Sequence, residues 1–449
     1  MAKKSVRVGV GSAFSDDRFD PALTIAEQGK LDYLVFECLA ERTIARETMA
    51  KLKDGTKGYT PYLRERIETV LRACVANGTR IVSNMGAANP PAGADLIRTI
   101  AGELGLGELP VAVVHGDEVS DLVRQHPELK LMESGDPLES ILPRMASANA
   151  YLGADVIKAG LATGAPVVIT GRVADPSLVL GCLYDGLGWS IDDYQRIACG
   201  TTVGHMMECG TQMSGGCFAD PGKNDVPGMA TIGFPFADVG ADGSVVFGKV
   251  AGTGGRIDRA TCSEQLIYEI HDPTRYITPD CVLDVTGVSF EEIGADQVRM
   301  TGASARPRTD TYKVVVGYHD GWIGEAEVAY AGPNALARAR MSEQIVRQRL
   351  EMRGFSYPEI RVDYIGMSSL HGAPQTRAEP YEVRLRMAAR SPDWKAAKAV
   401  AYEMRTLHVN GPAGGAGGTD NVREVLAVAS VLVPRQWVKT GISVRGGAQ

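Results

Sequence analysis

VRVGVGSAFSDDRFDPALTIAEQGKLDYLVFEC (residues 6–38) holds a strand, a helix and a second strand in immediate succession. VRVGVGS (6–12) and DYLVFEC (32–38) are short, continuous apolar runs. Between them, residues 19–29 predict a helix, with Asp17 or Asp20 as its cap and Gly29 as its stop. Apolar runs that do not alternate are expected when helices cover both faces of a parallel sheet.

Working outward, the same alternation continues. Helices are expected over 40–52 and 61–77, the second stopped at Asn77-Gly78. RIVSN (80–84) reads as a strand, 91–104 as a helix and PVAVVHG (110–116) as a strand. A helix near 138–151 then leads to strands VIKAG (156–160) and PVVITG (166–171), and another helix runs from Asp175 toward Tyr184. This predicts an N-terminal α/β domain over 1–220, Rossmann-like, with a doubly wound, mostly parallel sheet. A closed TIM-like barrel is the alternative.

Near residue 220 the texture changes. Segment 215–260 is rich in Gly, Pro and Asp and suggests loops with one hairpin. From about 281 the runs alternate: CVLDVTGVSF, QVRMTG, TYKVVVGY and GEAEVAYAG. Amphipathic helices are expected at 334–353 and 392–407, among strands at 360–366, 381–387 and 425–433. A second, α+β domain of mostly antiparallel strands is therefore expected over 221–449.

With 449 residues the chain exceeds one compact core, and 44% hydrophobic and 22% charged residues fit a globular protein. A net charge of −7 disfavours a nucleic-acid partner. No signal peptide or membrane span is evident, so a cytoplasmic protein without a membrane partner is expected. The eight cysteines include no C-x-x-C pair and read as reduced thiols.

Ligands of open α/β sheets bind beyond the carboxyl ends of the strands. Those ends hold Gly11, Ser12 and Arg18; Glu37; Asn84 and Asn89; His115 and Asp117; and Arg172 and Asp175. The first turn lacks the third glycine of a dinucleotide fingerprint, which argues against NAD. Glu37 closes an apolar strand, where partial burial raises a carboxyl pKa and suits acid–base work; pairing with Arg18 or Arg42 is the plainer reading. Asn84 and Asn89 suit polarisation of a carbonyl oxygen or simple turn capping. Arg172 suits a carboxylate clamp or an ion pair with Asp175. In GTTVGHMMECGTQMSGG (200–216), His205 and Glu208 lie one helical turn apart. They suit a base with its orienting carboxylate, or, with His115, a metal site. No cofactor is assigned from the residues.

These segments, together with KVAGTGG, YEIHDPTRYITPDCVLDVTG and HVNGPAGGAGG with VREVLAVASVLVPR, resemble the acyclic terpene utilisation (AtuA-like) proteins along nearly the whole chain. The resemblance implies catabolism of branched terpenoid acids as coenzyme A thioesters, and no catalytic residues come with it. The resulting expectation is a lyase or hydratase acting on a small carboxylate or acyl-CoA, in a homo-oligomer. Glu37, His205, Glu208 and Asn84 would be catalytic, and Gly11, Ser12, Arg18, Asn89, His115, Asp117, Arg172 and Asp175 would bind substrate. The alternative is a non-catalytic binding or scaffold subunit. Some relatives carry a further C-terminal domain, for which a small partner subunit would substitute.

Overall fold

The computed structural model describes residues 2–372 and 379–446. It divides into two compact units. Unit 1 runs through Gly317 and resumes at Val428, and unit 2 is Tyr318–Ala427. Compactness thus divides the chain elsewhere than at residue 220.

Unit 1 begins with β1 (Ser5–Val10), α1 (Asp20–Gln28), β2 (Tyr33–Phe36), α2 (Glu41–Lys53) and α3 (Leu63–Asn77). β3 (Arg80–Ser83), α4 (Pro90–Glu103), β4 (Val111–His115), α5 (Ser120–Arg124) and β5 (Met145–Ala150) follow. Next come α6 (Ala154–Ala162), β6 (Val167–Ile169), α7 (Asp175–Leu187) and α8 (Tyr194–Glu208). Then the unit turns strand-rich, with β7 (Pro235–Gly240), β8 (Val245–Lys249), α9 (Arg259–Ile267), β9 (Tyr276–Ile277) and β10 (Cys281–Asp284). β11 (Ser289–Gly294), β12 (Gln297–Thr301), β13 (Ser304–Pro307) and the start of β14 (Thr311–Ala331) complete this part.

Among the described residues the main sheet has ten strands in the order β11-β12-β8-β7-β1-β2-β3-β6-β4, closed at its far edge by β18 (Gly441–Arg445). The five strands from β1 to β4 in this order are mutually parallel. Both flanks are antiparallel, β7 on β1 and β18 on β4. The sheet has two ends, so it is open and no barrel forms. Helices α1, α3 and α4 pack as one group and α6, α7 and α8 as another. All four residues of β2 are buried, which accounts for its unbroken apolar run.

The expected hairpin in 215–260 is β7–β8, and it extends the main sheet instead of opening a new domain. Three local expectations fail. Residues 138–151 form two 3₁₀ turns and then β5, not a helix. Pro143 interrupts the helical pattern because it lacks the needed N–H, and the partner of β5 is the distant β14. VIKAG belongs to α6, not a strand. That helix is apolar because it is wedged against β4 and α7. The expected Asp17 or Asp20 cap is also absent: α1 has Phe19 at its N-cap, with no side-chain cap. The stop at Gly78 forms as expected, left-handed with φ +67°.

Unit 2 holds the rest of β14, α10 (Ala335–Met352), β15 (Glu359–Ile365), β16 (Glu382–Ser391), α11 (Trp394–Asn410) and the start of β17 (Ala416–Pro434). Its strands run β15-β16-β14-β17, with β16 antiparallel to both β15 and β14. Val328, Leu385 and Met387 of the sheet bury against Ala339, Val346, Val400 and Met404 of the two helices. No helix among the described residues is long and apolar enough to cross a membrane.

The crossing of α7 and α8 fixes where His205 and Glu208 lie. Gly204 sits against the backbone of Pro176, and an added Cβ would come 2.7 Å from the Pro176 Cα. In an ordinary helix Gly→Ala stabilises by about 1 kcal/mol. Here Gly204→Ala is expected to destabilise by about 1–3 kcal/mol through overpacking. Denaturant unfolding of the two proteins checks the sign.

Candidate functional site

β2 delivers Glu37 just past its carboxyl end, where the carboxyl is 7% exposed. One oxygen, Oε1, accepts from the Leu39 N–H at 2.8 Å and from Asn84 Nδ2 at 2.9 Å. Asn84, just past β3, also accepts the Cys38 N–H at 2.8 Å, so it fixes both backbone and side chain of the β2 exit. Ser12, just past β1, donates to the Glu37 carbonyl oxygen at 2.7 Å. Three adjacent parallel strands therefore build one carboxyl's setting.

Arg172 follows β6 and is 2% exposed. Its Nη1 donates to the Leu39 carbonyl and lies 2.8 Å from Asp175 and 3.8 Å from Glu37. Its guanidinium stacks over Tyr151, 4.1 Å from the ring centre. Tyr151 donates to Glu41, which Lys313 approaches at 3.4 Å. One buried cation thus serves Glu37, Glu41 and Asp175. The Arg172 Nε has no hydrogen-bond partner among the described residues.

Position sorts the carboxyls. Burial, and then the Asp175 charge, hold Glu37 well above the usual carboxylate range despite Arg172. Burial also pushes Glu41 upward, but Arg172, the Tyr151 hydroxyl and Lys313 outweigh it and bring Glu41 down to about 2. Asp117 accepts the Arg172 N–H at 2.8 Å and Asn149 Nδ2 at 3.0 Å, yet burial still raises it to about 6. A Cβ on Gly171 would overlap the Asp117 carboxylate, so only glycine fits there.

His205 and Glu208 form the expected pair, with Nδ1 3.1 Å from Oε1. The other ring nitrogen meets the Leu266 carbonyl oxygen at 3.0 Å, and the ring is fully buried. Burial raises Glu208 to about 7, with Asp175 and Glu269 adding to the rise. Asp175, at the start of α7, and the α8 dyad therefore feel each other's charge.

Not every expected residue joins these groups. Arg18 pairs with Asp20 at the surface. Asn89 donates to the carbonyls of Gly55 and Lys57. His115 bonds Ser443 across the β4–β18 pair at 2.7 Å. Gly11 accepts from Arg66 through its carbonyl, and a Cβ there would overlap the Phe36 ring. No group of three or more His, Cys, Asp or Glu among the described residues is arranged to hold a metal ion.

Sequence reading missed four residues. Arg66, buried on α3, donates to the carbonyls of Gly11, Ser15 and Asp17 and so shapes the loop after β1. Its signal was present: Arg66 lies in the apolar stripe Leu63, Ile67, Val70 and Cys74. Tyr151 and Lys313 meet through the pairing of β5 with β14, which no local pattern announces. Glu269 takes a left-handed backbone conformation at φ +59°, unusual for a side chain of its kind, and bears on Asp175 and His205.

Over residues 6–444 the chain matches the family described as acyclic terpene utilisation family protein AtuA. No curated protein gives a match.

Two outcomes follow from the geometry. Arg172→Met leaves buried carboxyls unpaired and should destabilise by about 3–5 kcal/mol at neutral pH. Glu41 is depressed in the folded state, so its contribution is present above its ordinary pKa of 4.5 and is lost as pH falls toward about 2. The gap between the two proteins should narrow over that window in pH-dependent unfolding. Asp117 has the opposite sign: raised from 3.8 to about 6, it makes stability fall as pH rises between those values. Asp117→Asn should flatten that fall, by about 2–3 kcal/mol.

Proposed function

The chain belongs to the acyclic terpene utilisation family, and from that premise we propose that it is a catabolic enzyme of lyase or hydratase type acting on a carboxylic acid or an acyl-CoA thioester. The observation that carries the reading is Glu37, a carboxyl buried at the carboxyl end of a central parallel strand, where burial raises its pKa well above the usual carboxylate range. Adding or removing water beside a carbonyl requires one proton moved at oxygen and another at carbon. Glu37 donates the first, toward a leaving hydroxyl or a developing oxyanion. Glu208, near 7, anchored by His205 and with its Oε2 unpartnered among the described residues, moves the second.

Asn84 holds Glu37 in place through Oε1 and leaves its other oxygen free of that contact. A substrate carboxylate or thioester oxygen is received by the unpartnered Nε of Arg172 and by Lys313, whose side chain is partly exposed. Glu41 and Asp175 balance the Arg172 charge, so that the site does not bind anions indiscriminately. A cytoplasmic location belongs to this reading, because all eight cysteines are free thiols.

The test uses purified protein and a panel of 3-hydroxyacyl-CoAs and hydroxy diacids. Glu37→Gln preserves the acceptor for Leu39 and Asn84 but removes the proton. It should lower kcat by about 10²–10⁴-fold with the fold intact. Because Glu37 acts while protonated and its pKa is raised, the rate should fall on the alkaline side, above the ordinary carboxylate range. That limb should vanish in Glu37→Gln. Full activity in the variant sinks the assignment. A chain that turns over nothing alone but does so with an added partner chain favours the non-catalytic subunit.

A further inference from the structure

Unit 2 carries a groove of its own, about 610 Å³ in volume, lined by Arg353, Phe355, Trp394, Lys395, Lys398 and Tyr402. That volume lies within the range of roughly 300–1,000 Å³ of small-ligand pockets. Ala399, small and buried, forms its floor. Trp394, Lys398 and Tyr402 recur at four-residue spacing on α11, so they share one helix face.

Two chemistries are combined there. Trp394 and Tyr402 leave 43% and 55% of their surface open to solvent. The chain is only 6% aromatic, so a cluster of three rings around one groove is not a consequence of composition. Lys395 and Lys398 are exposed and form no ion pair among the described residues. Lys398 stands over the Trp394 ring at 4.7 Å, and Arg353 over Tyr402 at 5.4 Å. The nearby acids are already engaged: Glu403, which also lines the groove, is buried on Arg353 at 2.7 Å, and Asp393 caps α11 through the Lys395 N–H. The groove is therefore cationic in a chain of net charge −7.

A plain phosphate has no use for the rings, and an acyl chain has no use for the lysines. A purine nucleotide uses both, since a flat base stacks on aromatic faces while phosphates meet ammonium groups. We propose that this groove is a purine-nucleotide site, the base stacking on Tyr402 and the phosphates directed to Lys398 and Lys395, one and two turns toward the start of α11. The site does not depend on the Glu37 chemistry, and either can fail without the other.

Calorimetric titration of the full-length protein with ADP tests it, alongside adenosine and inorganic pyrophosphate. Saturable binding of one ADP per chain is expected, with each half-ligand at least about tenfold weaker. Tyr402→Leu, and separately Lys395→Ala with Lys398→Ala, should each weaken ADP by about tenfold or more. These side chains are exposed, so the thermal midpoint should not move, and the activity against acids or thioesters is read in parallel. No saturable ADP binding overturns the proposal. So does ADP binding indifferent to all three substitutions, or pyrophosphate binding as tightly as ADP.

Discussion

The ends of three parallel strands and the start of α7 are organised by one buried guanidinium. Arg172 cannot lose its charge, and at 2% exposure it cannot be left without counter-charge either. Asp175 lies at 2.8 Å, Glu37 at 3.8 Å, and Glu41 answers it through Tyr151. Three acids around one cation cannot all be ionised at equal cost. The more exposed Glu41, with Tyr151 and Lys313 beside it, is brought down to about 2, while the deeply buried Glu37 is raised well above the usual carboxylate range. The difference between these two carboxyls, four positions apart in the chain, comes from burial and neighbours alone.

Backbone and side chain are interlocked around this cation. The Arg172 N–H binds Asp117, and its Nη1 binds the Leu39 carbonyl, two residues from Glu37. Gly171 must lack a Cβ because the Asp117 carboxylate occupies that space. Asn84 ties the β3 exit to the β2 exit, and Ser12 ties the β1 exit to the β2 exit. A displacement at any one strand end is thus felt at the Glu37 carboxyl.

Much of this was readable from the chain. The parallel strands β1, β2, β3, β4 and β6 announced themselves as short apolar runs, and Glu37, Asn84, Arg172 and Asp175 stood at their ends. The His205–Glu208 pair followed from helical spacing. What stayed hidden depended on distant pairing. β5 looks helical until β14 is brought beside it, and the same pairing places Lys313 against Tyr151. α6 looks like a strand because burial on several sides erases amphipathic periodicity. Arg18, Asn89 and His115 stood at loop positions of the right kind, but nearby partners took them: Asp20, two carbonyls and Ser443.

Unit 2 interrupts unit 1, which breaks off at Gly317 and resumes at Val428. The β4 strand therefore receives its outer neighbour late, since His115 and its partner Ser443 are 328 positions apart. On a ribosome adding about 5–20 residues per second, that interval is on the order of 15–65 s. Throughout it the apolar run Val111–Val114 is the uncovered edge of a nascent sheet, the kind of edge that recruits other chains. The later β18 arrives, the longer that edge stays open to other chains, so slow translation lengthens its exposure and fast translation shortens it.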